Sequence, residues 1–584
     1  MTATTSPARP RWVIVPDDPA TEPSRDLVGG KAWSLWRMRS LGLRVPPAFV
    51  VTTRACAAYL ADGRLPDGLA DELADGIRLL ERTLGRTFGG DRRPLLVSVR
   101  SGAAISMPGM MDTILDLGCD DRVETALAEE TGDPAFAAEV HRRFTAFYGR
   151  LVLGCVEDLD DLPDTAAVRA AIEAETGETV PADPWRQLRA AVGAVFASSR
   201  SRRAMAYRRH YGIPDDLGTA VTVQAMVFGN LDDDSGTGVL FTRNPADGAR
   251  APYGEYLPRG QGEDVVSGKV NPKPLSHLAR RWPAVHRELL AAAERLEREG
   301  RDAQDIEFTV QHGQLFLLQS RPAKRTARAA VRIAVQLVHE GMIEPAEALS
   351  RVTPEQVRAL LRPEIAPGAA ETAEVLASGV GASPGVASGV VVDTPEAAQA
   401  RPGCVLVRAS TSPDDVHGMI AASAVVTEQG GATSHAAVVS RALDTPCVVG
   451  CGAGTVAALA GRTVTVDGGA GRVYAGQLPT TAVREDSDTD LRRLTDWALL
   501  ASPLRAVREQ DTAGPVFDAD TVAGAELGEG LPEIPPGTTT ARGALFGTPE
   551  GVRAAVDAGV EAIVTDHPLP VLLAAIAHRK GRTR

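Results

Sequence analysis

Six cysteines in 584 residues are too few and too scattered for a disulfide framework. Cys447 and Cys451 stand in a C-x-x-x-C spacing with no second pair nearby, which argues against a zinc site. No run of 18 or more apolar residues occurs, so no membrane span is encoded. The opening MTATTSPARPRW has no apolar stretch and does not read as a signal peptide. Positive charge is in deficit: 62 Lys and Arg against 75 Asp and Glu leave a net charge of −13. That argues against a general nucleic-acid binder but leaves room for a local basic pocket. The phosphate loop G-x-x-x-x-G-K-[ST] is absent. With 44% hydrophobic and 23% charged residues, the expectation is a cytoplasmic chain with no membrane partner. Its length has room for about three or four domains.

The most informative stretch that is present is Gly430-Gly431-Ala432-Thr433-Ser434-His435-Ala436-Ala437-Val438-Val439-Ser440-Arg441. Two glycines permit a tight turn and a close ligand approach. Thr433 or Ser434 can cap the helix that the following apolar run predicts. His435 then lies at a helix N-terminus, where free N–H groups and the dipole favour negative charge. A histidine there is placed to carry a phosphoryl group; a packed or capping histidine is the alternative that this stretch alone leaves open.

Further motifs bear on that choice. Gly29-Gly30-Lys31 precedes a helix predicted over 32–41, and N–H groups at such a turn hold phosphate oxygens while lysine adds a point charge. Ser98-Val99-Arg100-Ser101-Gly102 sets an arginine at a strand end, its planar fork suited to phosphate. Met107-Pro108-Gly109-Met110-Met111-Asp112-Thr113 follows as a flap or as core. Segments 305–310 and 314–319 read as a hairpin over His312-Gly313. Alternation puts Asp305 and Glu307 on one face, with Gln319 and Arg321 on the opposite arm. Two carboxylates and an amide oxygen facing a cleft suit a hard cation such as Mg²⁺; a solvated face is the alternative. Gly381-Ala382-Ser383-Pro384-Gly385 fits G-x-S-x-G, but Pro384 and a strand-like run follow the serine where that motif needs a helix, so a nucleophile is not expected there.

Together and in order, the segments LVGGKAWSL, PLLVSVRSGA, SMPGMMDT, VQAMVFGN, DDSGTGVLFTRNP, YGEY, QGEDVV, QDIEFTV, LLQSR, GASPG, TSPDDVHGM and GGATSHAAVVSRA resemble the pyruvate, phosphate dikinase family of PEP-utilising enzymes. The resemblance implies an α/β and α+β multidomain chain: an ATP-grasp nucleotide-binding module, then a swivelling phosphohistidine α/β domain. The expected division is a flexible 1–25, the ATP-grasp module at 26–340 with a helical insertion near 120–215, a helical linker at 341–378, the phosphohistidine domain at 379–480, a linker at 481–510, and a barrel-type remnant at 511–584. Carried over by position, Lys31, Arg100, Arg243, Glu255 and Arg321 would handle ATP phosphates. Glu307 and Gln319 would hold Mg²⁺ with Asp305 close by, and His435 would be the nucleophile. Thr433 matches a position that plant relatives use for regulatory phosphorylation.

Two departures stand out. After Gly262-Glu263-Asp264-Val265-Val266 relatives usually carry Arg-Thr-Pro, but here the run is Lys269-Val270-Asn271-Pro272, so Lys269 or Lys273 would have to substitute. A full family member also ends in a (β/α)₈ barrel of about 250 residues that binds pyruvate. Here the expected remnant offers only its connector and first βα unit, and Thr565-Asp566-His567-Pro568 replaces the usual Arg-Thr-Glu-His. The expected function is a phosphotransferase that phosphorylates its own His435 from ATP. AMP and pyrophosphate are the products and phosphate the co-substrate. The phosphoryl group then passes to pyruvate or another small acceptor, at a site missing or supplied by a partner chain in trans. A kinase for a different small molecule, as in rifampin phosphotransferase, and a non-catalytic ATP-binding relic are the alternatives.

Overall fold

The computed structural model describes residues 11–15, 23–103, 113–210, 213–214, 218–266, 271–361, 363–366, 368–443, 445–482, 485–512, 514–519 and 534–582. The predicted flap at 107–112 and Lys269 lie outside them, as do most of 1–25 and part of 511–584. The α/β and α+β multidomain class expected from the sequence is the class observed. Among the described residues no helix is long and apolar enough to cross a membrane.

Two five-stranded antiparallel sheets make the first half. One runs in the order Val13–Ile14, Ala48–Val51, Ala220–Ala225, Val97–Gly102, Thr113–Leu117. The other runs Lys273–Pro274, Tyr253–Pro258, Gly236–Phe241, Gln304–Gln311, Gln314–Pro322. In the Gln304–Gln311 strand, Ile306, Phe308 and Val310 pack on Leu289 and Leu296 of the helix Pro283–Gly300. Asp305, Glu307 and Thr309 therefore share the opposite face. The helices Asp121–Thr131, Pro134–Leu151 and Pro184–Ser198 pack into the core of the first sheet, and Thr165–Thr176 packs on the second of them. All four start on an aspartate whose carboxylate caps the first turn: Asp120, Asp133, Asp164 and Asp183.

The helix Arg25–Ser40 begins earlier than the pattern predicts, because Gly29 and Gly30 lie inside it. Gly29 adopts φ 75° and ψ 165° and kinks it. A Cβ on Gly29 would lie 1.8 Å from the Gly102 carbonyl oxygen. The Gly30 N–H donates to the Ala103 carbonyl at 2.9 Å. The kink thus seats the helix on the strand end that carries Arg100.

The helices Ala327–His339, Pro345–Arg351 and Pro354–Leu360 share one apolar cluster with Thr489–Ala501 and Pro568–Arg582. From this hub the chain leaves through Pro363–Ile365 and returns through Thr480–Ala482, and those two segments pair antiparallel with each other. Between them lies an eight-stranded mixed sheet. Its first strand is broken at Gly379 into Val375–Ser378, which pairs with Arg472–Ala475, and Val380–Ser383, which pairs with Cys447–Val449. The sheet therefore closes on itself and protects its edges.

The C-terminal part holds more strands than the single βα unit expected of it. Four short parallel strands pair in the order Arg505–Val507, Ala562–Val564, Thr540–Arg542, Phe517–Asp518. Strands of two or three residues carry too few alternations for sequence periodicity to reveal them.

Replacing Gly29 with alanine combines a left-handed backbone with a backbone clash. We expect Gly29→Ala to cost about 2–5 kcal/mol, read as a lowered first transition in a thermal melt, with weakened nucleotide binding measured by calorimetry.

Candidate active site at the seam of the two sheets and the histidine unit

A cavity of about 940 Å³ lies where the two antiparallel sheets meet the closed sheet. Among the described residues, Arg25, Lys31, Arg37, Arg100, Arg150, Arg203 and Arg321 line it, against Glu299 and Glu307. In a chain of net charge −13 this local excess of cations marks a site for a polyanion. Apolar walls come from Leu115, Met226, Val239 and Leu318.

The sheet register assembles the polar floor. Glu307 pairs with Gln319, and Asp305 with Arg321. Arg321 Nε donates to Asp305 Oδ2 at 2.8 Å, and Arg100 to Glu307 Oε2 at 3.1 Å. Burial pushes the Asp305 carboxyl up, only partly offset by Arg321. Burial also works against the Glu307 carboxylate, but Arg100, Arg321 and Lys31 together outweigh it and hold that group below its ordinary value. Asp305 Oδ1 and Gln319 Oε1 are buried with no hydrogen-bond partner. Orphaned oxygen acceptors beside a carboxylate are the donor set a hard divalent cation takes, so these three residues fit Mg²⁺. A second group, Asp121, Glu124 and His141, has its ligand atoms within 4.8 Å of one another. There, however, His141 Nδ1 meets Glu124 at 2.5 Å, its Nε2 accepts from Arg169 at 3.1 Å, and Arg169 also pairs with Asp121. A guanidinium already supplies the cation in that cluster.

His435 opens the helix His435–Leu443 and faces the same cavity as Glu307, Gln319 and Arg321. Its Nδ1 lies 3.1 Å from Thr411 Oγ1, while Nε2 is buried without a partner. With its hydrogen on Nδ1, the ring donates to Thr411 and keeps a lone pair on Nε2. Burial lowers the imidazole pKa to about 4, against the weaker pull of Asp415 and Asp414. Thr411 is steadied by its neighbour: the Ser412 N–H and hydroxyl both donate to Asp415 Oδ2, which pairs through Oδ1 with Arg408.

Other predicted residues fall elsewhere. Glu255, on the strand Tyr253–Pro258, reaches the histidine turn: it accepts from Ala432 N at 3.2 Å, Thr433 N at 3.3 Å and Thr433 Oγ1 at 2.6 Å. A Cβ on Gly431 would lie 2.7 Å from the same carboxylate, so glycine is what allows the approach. Arg243 does not line the cavity; it is buried between Glu297 at 2.7 Å, Glu340 at 2.8 Å and Gln336 at 2.9 Å. Lys273 is exposed on its two-residue strand. Ser383 is fully buried, which agrees with dismissing it as a nucleophile. Thr411 is the residue that sequence reasoning left without a role. Nothing local links it to a histidine 24 positions away.

Comparison with known proteins gives the chain's family. A family profile described as "Pyruvate phosphate dikinase, AMP/ATP-binding domain" matches residues 25–77, 64–288 and 284–342. One described as "PEP-utilising enzyme, mobile domain" matches residues 400–471. The chain is 42% identical over 526 residues to pyruvate, phosphate dikinase of Rhizobium meliloti (strain 1021), covering 81% of this chain and 58% of that one. It is 41% identical over 549 residues to pyruvate, phosphate dikinase of Clostridium symbiosum, covering 87% and 62%. It is 42% identical over 528 residues to pyruvate, phosphate dikinase 2 of Zea mays, covering 84% and 60%. The aligned part thus spans 58–62% of each of these relatives.

The placement of Arg243 makes a separable prediction. Arg243→Met takes the cation from the mostly buried Glu297 and leaves Glu340 with the exposed Arg250, which should cost about 3 kcal/mol in urea unfolding. Nucleotide affinity, titrated with a fluorescent ATP analogue, should stay at the wild-type value. A selective loss of affinity at unchanged stability would instead assign Arg243 to the nucleotide.

Proposed function

Since the chain belongs to the pyruvate, phosphate dikinase family, we propose that it is an ATP-dependent phosphotransferase whose His435 is the phosphoryl carrier. The observation that carries this reading is the partnerless Nε2 of His435, a residue that lines the cavity together with Glu307, Gln319 and Arg321. Lys31, Arg100 and Arg321 would hold phosphate oxygens there. Asp305, Glu307 and Gln319 would hold Mg²⁺, which when bound neutralises phosphate charge.

In the proposed half-reaction the Nε2 lone pair forms a nitrogen–phosphorus bond to the β-phosphoryl group of ATP, and the bond to the AMP oxygen breaks. The γ-phosphoryl group passes to inorganic phosphate and leaves as pyrophosphate. Nδ1 keeps its hydrogen on Thr411 throughout, so the ring needs no proton acceptor at the attacking atom. Positioning and charge neutralisation supply most of the rate in phosphoryl transfer. The paired segments Pro363–Ile365 and Thr480–Ala482 are the hinge on which the histidine unit would carry the group to pyruvate or another small acceptor. Six free thiols fit a reducing compartment, and we place the reaction in the cytoplasm.

Incubation with β-³²P-ATP, Mg²⁺ and phosphate should leave an acid-labile label on the wild type and none on His435→Ala. Equal label on both would overturn the assignment. The pH dependence follows from burial. A folded-state value of about 4 against 6.5 for a free imidazole keeps His435 neutral through that window. The acid limb of the labelling rate should therefore lie well below pH 6.5. The linked stability has a defined sign: the unfolded chain takes up this proton near 6.5 and the folded one only near 4. The contribution is complete above the first value and lost as pH falls toward the second.

A further inference from the structure

Arg441 ends the motif that begins at Gly430, and it is not among the residues that line the cavity. Its side chain is 4% exposed. One terminal nitrogen donates to the Ala432 carbonyl at 2.9 Å and to the Ala382 carbonyl at 3.0 Å. Nε has no partner, and no carboxylate among the described residues lies within ion-pair distance of it. Burial lowers its pKa, with Asp305 and Glu255 acting only at longer range. Apart from the Phe241 ring, 6.0 Å from its Cζ, this buried cation meets two neutral carbonyls, which is costly, so its geometry calls for a functional account.

Both carbonyls lack ladder partners for identifiable reasons. Ala382 lies where the pairing of Val380–Ser383 with Cys447–Val449 shifts register between Gly381 and Ser383. Such an irregularity leaves a backbone group unpaired. Ala432 lies in the turn that precedes the helix His435–Leu443. The guanidinium therefore ties the G-x-S-x-G segment to the turn that presents His435. The Ala432 residue is held from both sides, with its N–H on Glu255 and its carbonyl on Arg441. The Glu255 contact joins two units and would be lost when the histidine unit moves away. The Arg441 contact lies wholly within that unit and travels with it.

We propose that Arg441 is a positioning residue for the phosphoryl carrier, clamping Ala432 and Ala382 so that His435 keeps Nε2 presented at both ends of its travel. This rests on the reading of His435 as the carrier. Lysine keeps the charge, but its ammonium nitrogen ends one bond short of the terminal nitrogen with which Arg441 reaches both carbonyls, which makes Arg441→Lys the informative change. At saturating ATP, labelling of His435 in R441K should slow about 100-fold, the scale a misplaced reacting group produces. The ATP concentration for half-maximal rate should not change. ¹⁵N-histidine NMR gives a readout free of activity: His435 should titrate near 4 in the wild type and move toward 6.5 in R441K as the turn loosens. If R441K does not fold, Arg441→Gly with added ethylguanidinium replaces it, and rescue by ethylguanidinium but not ethylammonium is expected. Wild-type labelling together with wild-type His435 titration in R441K would overturn the proposal, as would rescue by ethylammonium. A wild-type protein that takes no label overturns the carrier reading, and the NMR comparison then still decides whether Arg441 holds the turn.

Discussion

Glu255 accepts three hydrogen bonds from the turn that precedes His435, and through them the closed sheet seals a cavity that the two antiparallel sheets leave open. Much of the site's chemistry depends on that seal. It buries the imidazole, and burial rather than a neighbouring charge keeps the ring neutral. It brings Thr411 and His435 into the same space as Glu307, Gln319 and Arg321. Glycine at 431 leaves room for it, since a Cβ there would lie 2.7 Å from the Glu255 carboxylate and the carboxylate would have to shift.

Around this seam, burial acts in different directions on different groups. It raises the Asp305 carboxyl, yet three cations override it at Glu307, two residues along the same strand. The neighbouring carboxylates shift in opposite directions, one partnered by Arg321 and one by Arg100, and Asp305 Oδ1 and Gln319 Oε1 remain acceptors that a cation would satisfy. The excess of basic side chains in the cavity would balance the phosphates. On the proposed reading the cavity is thus cationic where a polyanion would sit, acceptor-rich where a metal would sit, and neutral at the proposed nucleophile.

Features governed by short-range pattern were legible in the sequence. Alternation along Gln304–Gln311 placed Asp305 and Glu307 on one face because Ile306, Phe308 and Val310 had to be buried. A glycine pair followed by small residues announced a turn and a helix start at His435. The roles that escaped depend on long-range contact. Glu255 meets Thr433 across 178 positions, and Arg243 meets Glu340 across 97. No local pattern says that the first faces a turn and the second an internal ion-pair cluster. The small parallel sheet escaped for a different reason, since its strands are two or three residues long.

The central claim is that Nε2 of a neutral His435, with Nδ1 held on Thr411, receives the phosphoryl group. ³¹P and ¹⁵N NMR of the protein after incubation with MgATP and phosphate tests this most directly, because the two ring isomers of phosphohistidine give distinct couplings. The account predicts a single phosphohistidine substituted at Nε2. A phosphoryl group on Nδ1, or none on His435, would contradict it.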